Sequence, residues 1–432
     1  MCGIAGVVGA PADSGRHACE TMLDAMVHRG PDQDGLWQSN SEKPVTLGHR
    51  RLSIIDVSEA GRQPMIDATT GVVLSYNGEC YNFLELRSKL QGKGRRFAST
   101  SDTEVLLAAY LEWGESTFSM LRGMFALAIW DPRDQHLLLV RDRLGIKPLY
   151  YSSDSEGLYF ASELRALLSS GCVERKLDPR AVHSYLWHGF VPGPRSLVSG
   201  VRLLDAGNLM RIDQIGREVS TTRYWDLPRF RRAGDHSTNA ESAHDVLQTA
   251  VTQHLHSDVP LGVFLSGGID SSVVASMASK ASDAPVTTFN VRFEESRYDE
   301  SEYARAVAKA LNTDHKEVTL SETMFDSQLD DALESIDQPT FDAINTYFVS
   351  RAVREAGLTV ALAGTGGDEL FGGYSSFADI PRARLPARLL GSLPKRARDL
   401  LAQAAARMLM GQAGEIPPQT RWGKLADVLE TR

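Results

Sequence analysis

The chain has 432 residues, 42% hydrophobic and 23% charged, with a formal net charge of −9. That length exceeds one ordinary core and predicts two domains, and the acidic balance gives no reason to expect a nucleic-acid partner. No apolar run approaches the roughly 18 residues that span a bilayer, and the four cysteines (Cys2, Cys19, Cys80, Cys172) form no CxxC or Cys/His zinc spacing, which argues against a disulfide framework and a structural metal site.

From residue 1 to about 205, short β-rich runs alternate with turns. Strands are predicted at 2–8, 52–55, 72–76, 125–130, 137–140 and 158–160, with a helix at 103–110, so 1–205 reads as an α+β domain rich in antiparallel pairing. A polar stretch at 231–242 marks the linker, and 206–242 is read as a connecting segment. Beyond it, strands at 261–265, 287–293 and 359–363 alternate with helices at 271–280 and 302–311, the pattern of a doubly wound parallel sheet in an α/β domain over 243–432. Ligands of such sheets sit at the carboxyl ends of the strands, which directs attention to the loops after Leu265 and Ala363. A locally basic run, with Arg382, Arg384, Arg388, Lys395, Arg396 and Arg398, reads as a solvated helical face and is assigned no partner. The N-terminus is apolar but broken by glycines and lacks a basic leader, so a cytoplasmic protein without a membrane partner is expected.

If Met1 is removed, Cys2 carries both a thiol and a free α-amine. The α-amine has an ordinary pKa of about 7.7–8.0 and can take the thiol proton, so one residue supplies nucleophile and base without a histidine. A cysteine at position 2 is weak evidence alone. Met-Cys-Gly-Ile-Ala-Gly-Val is followed in order by His28-Arg29-Gly30-Pro31-Asp32, Arg51-Leu52-Ser53-Ile54-Ile55-Asp56, Tyr76-Asn77-Gly78-Glu79, Ser101-Asp102-Thr103-Glu104 and Arg141-Asp142-Arg143-Leu144-Gly145. Together these resemble the class II glutamine amidotransferases across the whole first domain, which implies an N-terminal-nucleophile αββα sandwich. The resemblance implies catalysis by Cys2 with Asn77 and Gly78 as oxyanion donors. It implies a glutamine pocket of Arg51, Leu52, Ser53, Ile54, Ile55, Asn77, Gly78, Glu79 and Asp102, in which Arg51 forks onto the α-carboxylate and Asp102 meets the α-ammonium.

In the second domain, Ser266-Gly267-Gly268-Ile269-Asp270-Ser271-Ser272 follows an apolar strand and opens a helix, an arrangement in which backbone N–H groups cradle phosphate. The Walker pattern is absent. The loop instead resembles the SGGxDS loop of enzymes that split ATP between its α and β phosphates, and Ala363-Gly364-Thr365-Gly366-Gly367-Asp368-Glu369-Leu370-Phe371-Gly372-Gly373-Tyr374 looks like SGxGxDExFGGY. Taken with the first domain, the chain is similar to asparagine synthetases of the glutamine-hydrolysing kind. That resemblance implies ATP binding by Leu265, Ser266, Gly267, Gly268, Asp270, Ser271, Ser272, Val291, Ala363 and Gly364, and Mg²⁺ held by Asp270 and Asp368. Glutamine, aspartate and ATP would be the substrates, with an internal ammonia tunnel between the domains; family members are often homodimers. Two features depart from the family: Thr365 stands where an acidic residue is usual and Ala363 where serine is, and the chain stops at Arg432, short of the usual helical segment with its catalytic lysine. A truncation, a split gene whose partner chain supplies the remainder, and a drifted synthetase all fit that ending. The alternatives to asparagine synthesis are an amidotransferase with another carboxylate or sugar acceptor, or a chain retaining only glutaminase activity.

Overall fold

Ile4, Gly6 and Val8 alternate with Ala5 and Val7 along β1 (Gly3–Val8), a strand buried on both faces. The computed structural model describes residues 1–228, 239–293 and 299–382, with 394, 397, 400 and 404. After β1 the chain forms α1 (Ala12–Asp24), β2 (Gln33–Gln38), β3 (Val45–Arg51), β4 (Met65–Ile66), β5 (Val73–Cys80), α2 (Phe83–Gly92), α3 (Asp102–Trp113) and α4 (Ser116–Met120). It continues through β6 (Gly123–Asp131), β7 (His136–Arg141), β8 (Tyr150–Ser153), β9 (Leu158–Ala161), α5 (Leu164–Ser169), α6 (Pro179–His188), β10 (Arg202–Leu203), β11 (Asn208–Asp213) and β12 (Glu218–Arg223).

These strands make two six-stranded antiparallel sheets, ordered β10-β8-β9-β1-β3-β2 and β12-β11-β7-β6-β5-β4. Ile4, Val8, Leu47 and Phe160 of the first sheet pack against Val73, Ala126, Ala128 and Leu139 of the second. Ala5 and Val7 face α1 and α5 on the outside, while Leu74, Tyr76 and Leu127 face α2 and α3. The result is a four-layered αββα sandwich, as expected. Period-2 alternation along β1 and β5 is what lets one strand serve two cores.

Two expectations are corrected. Residues 52–55 are an irregular loop after β3, because their backbone is met by side chains and other loops: Ser53 N donates to Asp32 Oδ2 at 2.8 Å. The first domain does not end at 205. Strand β11 pairs with β7, and β12 with β11, so the sandwich runs through Arg223 and takes up the first part of the expected connecting segment.

The expected linker at 231–242 lies outside the described residues as far as 238, as do Arg384, Arg388, Lys395, Arg396 and Arg398 of the basic run. The second domain starts with α7 (Asn239–His254), then β13 (Leu261–Phe264), α8 (Ile269–Ala281), β14 (Thr287–Phe293), α9 (Ser301–Leu311), β15 (Asp314–Leu320), α10 (Glu322–Ser335), α11 (Ala343–Glu355), β16 (Val360–Leu362) and α12 (Gly367–Phe371). Its sheet is parallel, in the order β15-β14-β13-β16. Val263 and Leu265 pack on α8 and α9 on one face, and Phe264 and Phe289 on Val353 of α11 on the other, so the sheet is doubly wound. No helix among the described residues is long and apolar enough to cross a membrane.

The domains touch at several points. The Asp337 carboxylate accepts from Leu164 N and Arg165 N at 2.8 Å each, Gln338 Oε1 accepts from Leu197 N at 2.9 Å, and the Tyr81 and His254 rings stack with centroids 3.6 Å apart.

Candidate active sites

The first site forms where the starts and ends of strands from both sheets meet. Cys2 precedes β1; its Sγ donates to Leu52 O at 3.6 Å and lies 3.4 Å from Leu52 N. Burial pushes the thiol pKa up. On β5, Val73, Ser75, Asn77 and Glu79 alternate toward the other sheet, and Ser75 Oγ donates to Gly48 O at 3.0 Å. Asn77 is 1% exposed, yet neither its Nδ2 nor its Oδ1 has a hydrogen-bond partner. Leaving such groups unmet costs about 1–3 kcal/mol each, so both ends of this amide are available to a bound water or ligand. Gly78 is required by the neighbouring strand, since a Cβ there would lie 2.4 Å from Met124 O.

Asp102, the first residue of α3 after the capping Ser101, is buried and accepts from Tyr76 Oη and Cys80 N at 3.0 Å each. Burial raises its pKa, while these bonds and Arg51 work against that rise. Glu79 is pushed up to about 7, first by burial and then by the Asp102 charge. The Arg51 guanidinium lies deep in the loop: Nη1 donates to Gln33 Oε1 at 2.7 Å and Ser58 O at 3.0 Å, and Nη2 to Ile55 O at 3.2 Å and to Asp56 O. Its terminal N–H groups therefore hold the 55–58 turn, and a free bidentate fork is not what the structure presents. A carboxylate meeting Arg51 must displace one of these carbonyls or use Nε.

Two residues that were not among the expected site residues, Arg29 and Lys147, also lie beside Cys2 and Met1. Arg29 Nε donates to Cys2 O at 2.9 Å, its Nη1 to Glu163 Oε1 at 2.7 Å, and its Nη2 is buried without a partner. Lys147 Nζ lies 2.9 Å from Met1 Sδ, and burial, then Arg29, lowers its pKa to about 8. A charged residue embedded in a Gly/Pro motif, as in His28-Arg29-Gly30-Pro31, was the available signal. Burial also lowers the α-amine of Met1 to about 5.

The second site lies at the carboxyl ends of β13, β14 and β16, in a cavity of about 1050 Å³. Leu265, Ser266, Gly268, Asp270, Ser271, Val291, Ala363, Gly364 and Asp368 all line it. Gly267 and Ser272 do not; they face an adjoining hollow beside Lys280 on α8. The loop is tied by its own hydroxyls, with Ser266 Oγ 3.0 Å from Ser271 Oγ, and Ser272 Oγ donating to Gly268 O at 2.7 Å. Gly267 has φ +84°, and a Cβ there would lie 2.5 Å from Tyr303 Cβ, so the turn demands glycine. Val291 sits within β14 and not at its end. Asn290, which sequence reasoning missed, donates from Nδ2 to Leu265 O at 3.1 Å and leaves Oδ1 buried and unmet at the same cavity; a lone amide in an apolar strand was the signal.

Comparison with known proteins agrees with this division of the chain. A glutamine amidotransferase domain model matches residues 1–225 and an asparagine synthase model residues 242–430. Asparagine synthetase (glutamine-hydrolysing) 1 of Bacillus subtilis is 36% identical over 96% of this chain and 65% of its own length. A provisionally named asparagine synthetase (glutamine-hydrolysing) 2 of Methanocaldococcus jannaschii is 34% identical over 87% of this chain and 76% of its own, and amidase chry2 of Gibberella zeae is 32% identical over 98% and 67%. The chain thus spans about two thirds of the length of the curated relatives it matches. With the amidotransferase sandwich, the strand-end loops and these identities in register, the chain belongs to the glutamine-hydrolysing asparagine synthetase family.

Proposed function

We propose that the chain is a glutamine-dependent asparagine synthetase. Cys2, freed of Met1, attacks the side-chain amide of glutamine. The carbon–nitrogen bond breaks, ammonia leaves, and water then cleaves the thioester to glutamate. Asn77 Nδ2 and Gly78 N–H donate to the oxyanion of each tetrahedral state, Asp102 meets the α-ammonium, and Arg51 shapes the wall at the α-carboxylate. At the second site the β-carboxylate of aspartate attacks the α-phosphorus of ATP, pyrophosphate leaves, and ammonia displaces AMP to give asparagine. Asp270 and Asp368 suit Mg²⁺ in the way this ion usually binds nucleotides, through one or two carboxylates with phosphate oxygens and water. Their loops abut, since a Cβ on Gly367 would lie 2.4 Å from the Asp270 carboxylate carbon. When bound, the ion would neutralise phosphate charge as pyrophosphate departs.

One observation carries the coupling of the two halves. A second cavity, about 730 Å³, is lined by Met1, Arg29, Glu163 and Asp337 at the domain junction, and it shares Asp342, Thr346 and Ser350 with the strand-end cavity. Adjoining hollows with a common wall support a short route for ammonia from one site to the other.

The test supplies purified protein with ATP, Mg²⁺ and aspartate, and compares glutamine with ammonium as nitrogen source. Wild type is expected to release pyrophosphate and form asparagine from both, and Cys2→Ala from ammonium alone. Glutamine hydrolysis with neither product would leave only the glutaminase half of the reading. Thr365, exposed at the rim of the cleft, favours a second reading in which another carboxylate replaces aspartate. Pyrophosphate release that ignores aspartate and responds to another acid would select it.

A further inference from the structure

The loop 52–56 forms the wall against which the Cys2 thiol rests, through Leu52 N and O. It belongs to no strand, so its shape depends on what its backbone meets. Two of those bonds come from the other domain: Asp258 N donates to Ile54 O at 3.0 Å, and Asp258 Oδ2 accepts from Asp56 N at 2.8 Å. A single residue thus grips the loop at two points.

The point gripped has an uncommon backbone conformation. Asp56 has φ +55°, in the left-handed region that few residues other than glycine, asparagine and aspartate adopt. Its carbonyl accepts from Arg51, its Oδ1 from Ser58 N at 3.1 Å and its Oδ2 from Thr100 N at 2.8 Å, all within the first domain. Its amide reaches across the domain boundary. On the far side Asp258 is held in turn: Ser257 Oγ donates to Val259 O at 3.0 Å, and Pro260 O accepts from Thr359 N at 3.1 Å beside β16. The same run of chain continues as β13 into the Ser266 loop.

We propose that Asp258 is a positioning residue by which the nucleotide-binding domain holds the glutamine pocket in its binding shape. This rests on the reading of 52–55 as glutamine-contacting. Asp258 bonds the loop at Ile54 and Asp56, not at Cys2. Its action is to keep the left-handed Asp56 and the Leu52 wall populated, and a ligand's apparent affinity falls with the fraction of protein in the competent shape.

The experiment measures glutamine hydrolysis and ATP binding in full-length Asp258→Ala and Asp258→Asn. Losing a hydrogen bond to a charged acceptor is worth about tenfold, so the alanine variant should show a KM for glutamine raised about tenfold. Its kcat should stay within about twofold and its ATP affinity should not change. Asparagine retains a side-chain oxygen for Asp56 N and should restore KM to within about twofold. An alanine variant with wild-type KM, an asparagine variant as impaired as alanine, or a fall in kcat and ATP affinity together would each overturn the proposal. Calorimetric binding of glutamine to Cys2→Ala separates the two layers of the argument. If that protein binds no glutamine, the glutaminase reading falls and this inference with it. If it binds, and Cys2→Ala with Asp258→Ala binds equally well, the positioning role alone is wrong.

Discussion

Around Cys2 the groups that carry chemistry are buried side chains whose titration burial has moved: Asp102 and Glu79 upward, Lys147 downward. Around Ser266 they are backbone and serine hydroxyls on a glycine loop, with Ser266, Gly268 and Thr365 exposed. The contrast fits the ligands proposed for the two sites. A small zwitterion such as glutamine is best read by a few fixed charges in a dry pocket, where each is worth more than in water. A triphosphate brings its own charge and needs a cradle of N–H dipoles at strand ends and a helix start, open enough to admit it. The first site is therefore set before its ligand arrives, while the second is mostly a scaffold onto which the ligand's charge is placed.

The largest expected effect strikes the preset site where it is least satisfied. Asn77 is buried with both amide atoms unmet, so its contribution should be realised in the transition state. Asn77→Ala should lower kcat for glutamine hydrolysis by roughly 10²–10³, with KM changed little. Steady-state kinetics decide it, because a raised KM at unchanged kcat would make Asn77 a ground-state contact and erase the proposed oxyanion role. A smaller effect tests the scaffold. Asp270→Asn should slow pyrophosphate release roughly a hundredfold and leave glutamine hydrolysis within about twofold. Equal loss at both sites would show that the two are not separable in the way the geometry suggests.

Sequence made the chemistry-bearing positions legible because they are residue types out of place in their setting: a cysteine at position 2, a Gly-Gly turn between an apolar strand and a helix. It could not show what meets them. Arg51 is where the motif puts it, but its guanidinium is committed to the 55–58 turn by contacts that depend on how the loop folds back. Residues 52–55, Leu-Ser-Ile-Ile, are β-rich like a strand, and their partners, Asp32 and Asp258, reveal a loop. The end of the first domain was missed for a similar reason. Strand β12, Glu-Val-Ser-Thr-Thr-Arg, is exposed along its whole length at the sheet edge, so it carries no apolar face from which a strand could be read.

The smallest effect is a stability test of the dry pocket. Glu79 is 7% exposed, and its folded pKa of about 7 lies above the ordinary 4.5. A carboxyl with a raised folded value binds its proton more tightly in the folded state, so the unfolded state binds fewer protons across this window. Folding stability then falls as pH rises from about 4.5 to about 7, and the loss is complete above that. Glu79→Gln removes the ionisation. The variant should match wild type near pH 4 and exceed it near pH 8 by on the order of 1–3 kcal/mol, read from urea denaturation at the two pH values. The same substitution removes a charge proposed to face glutamine, so the gain in stability should come with weaker glutamine binding. A variant no more stable at high pH would mean that the charge on Glu79 is already compensated in the folded protein, with Lys147, a positive group that acts on it, as the partner to test next.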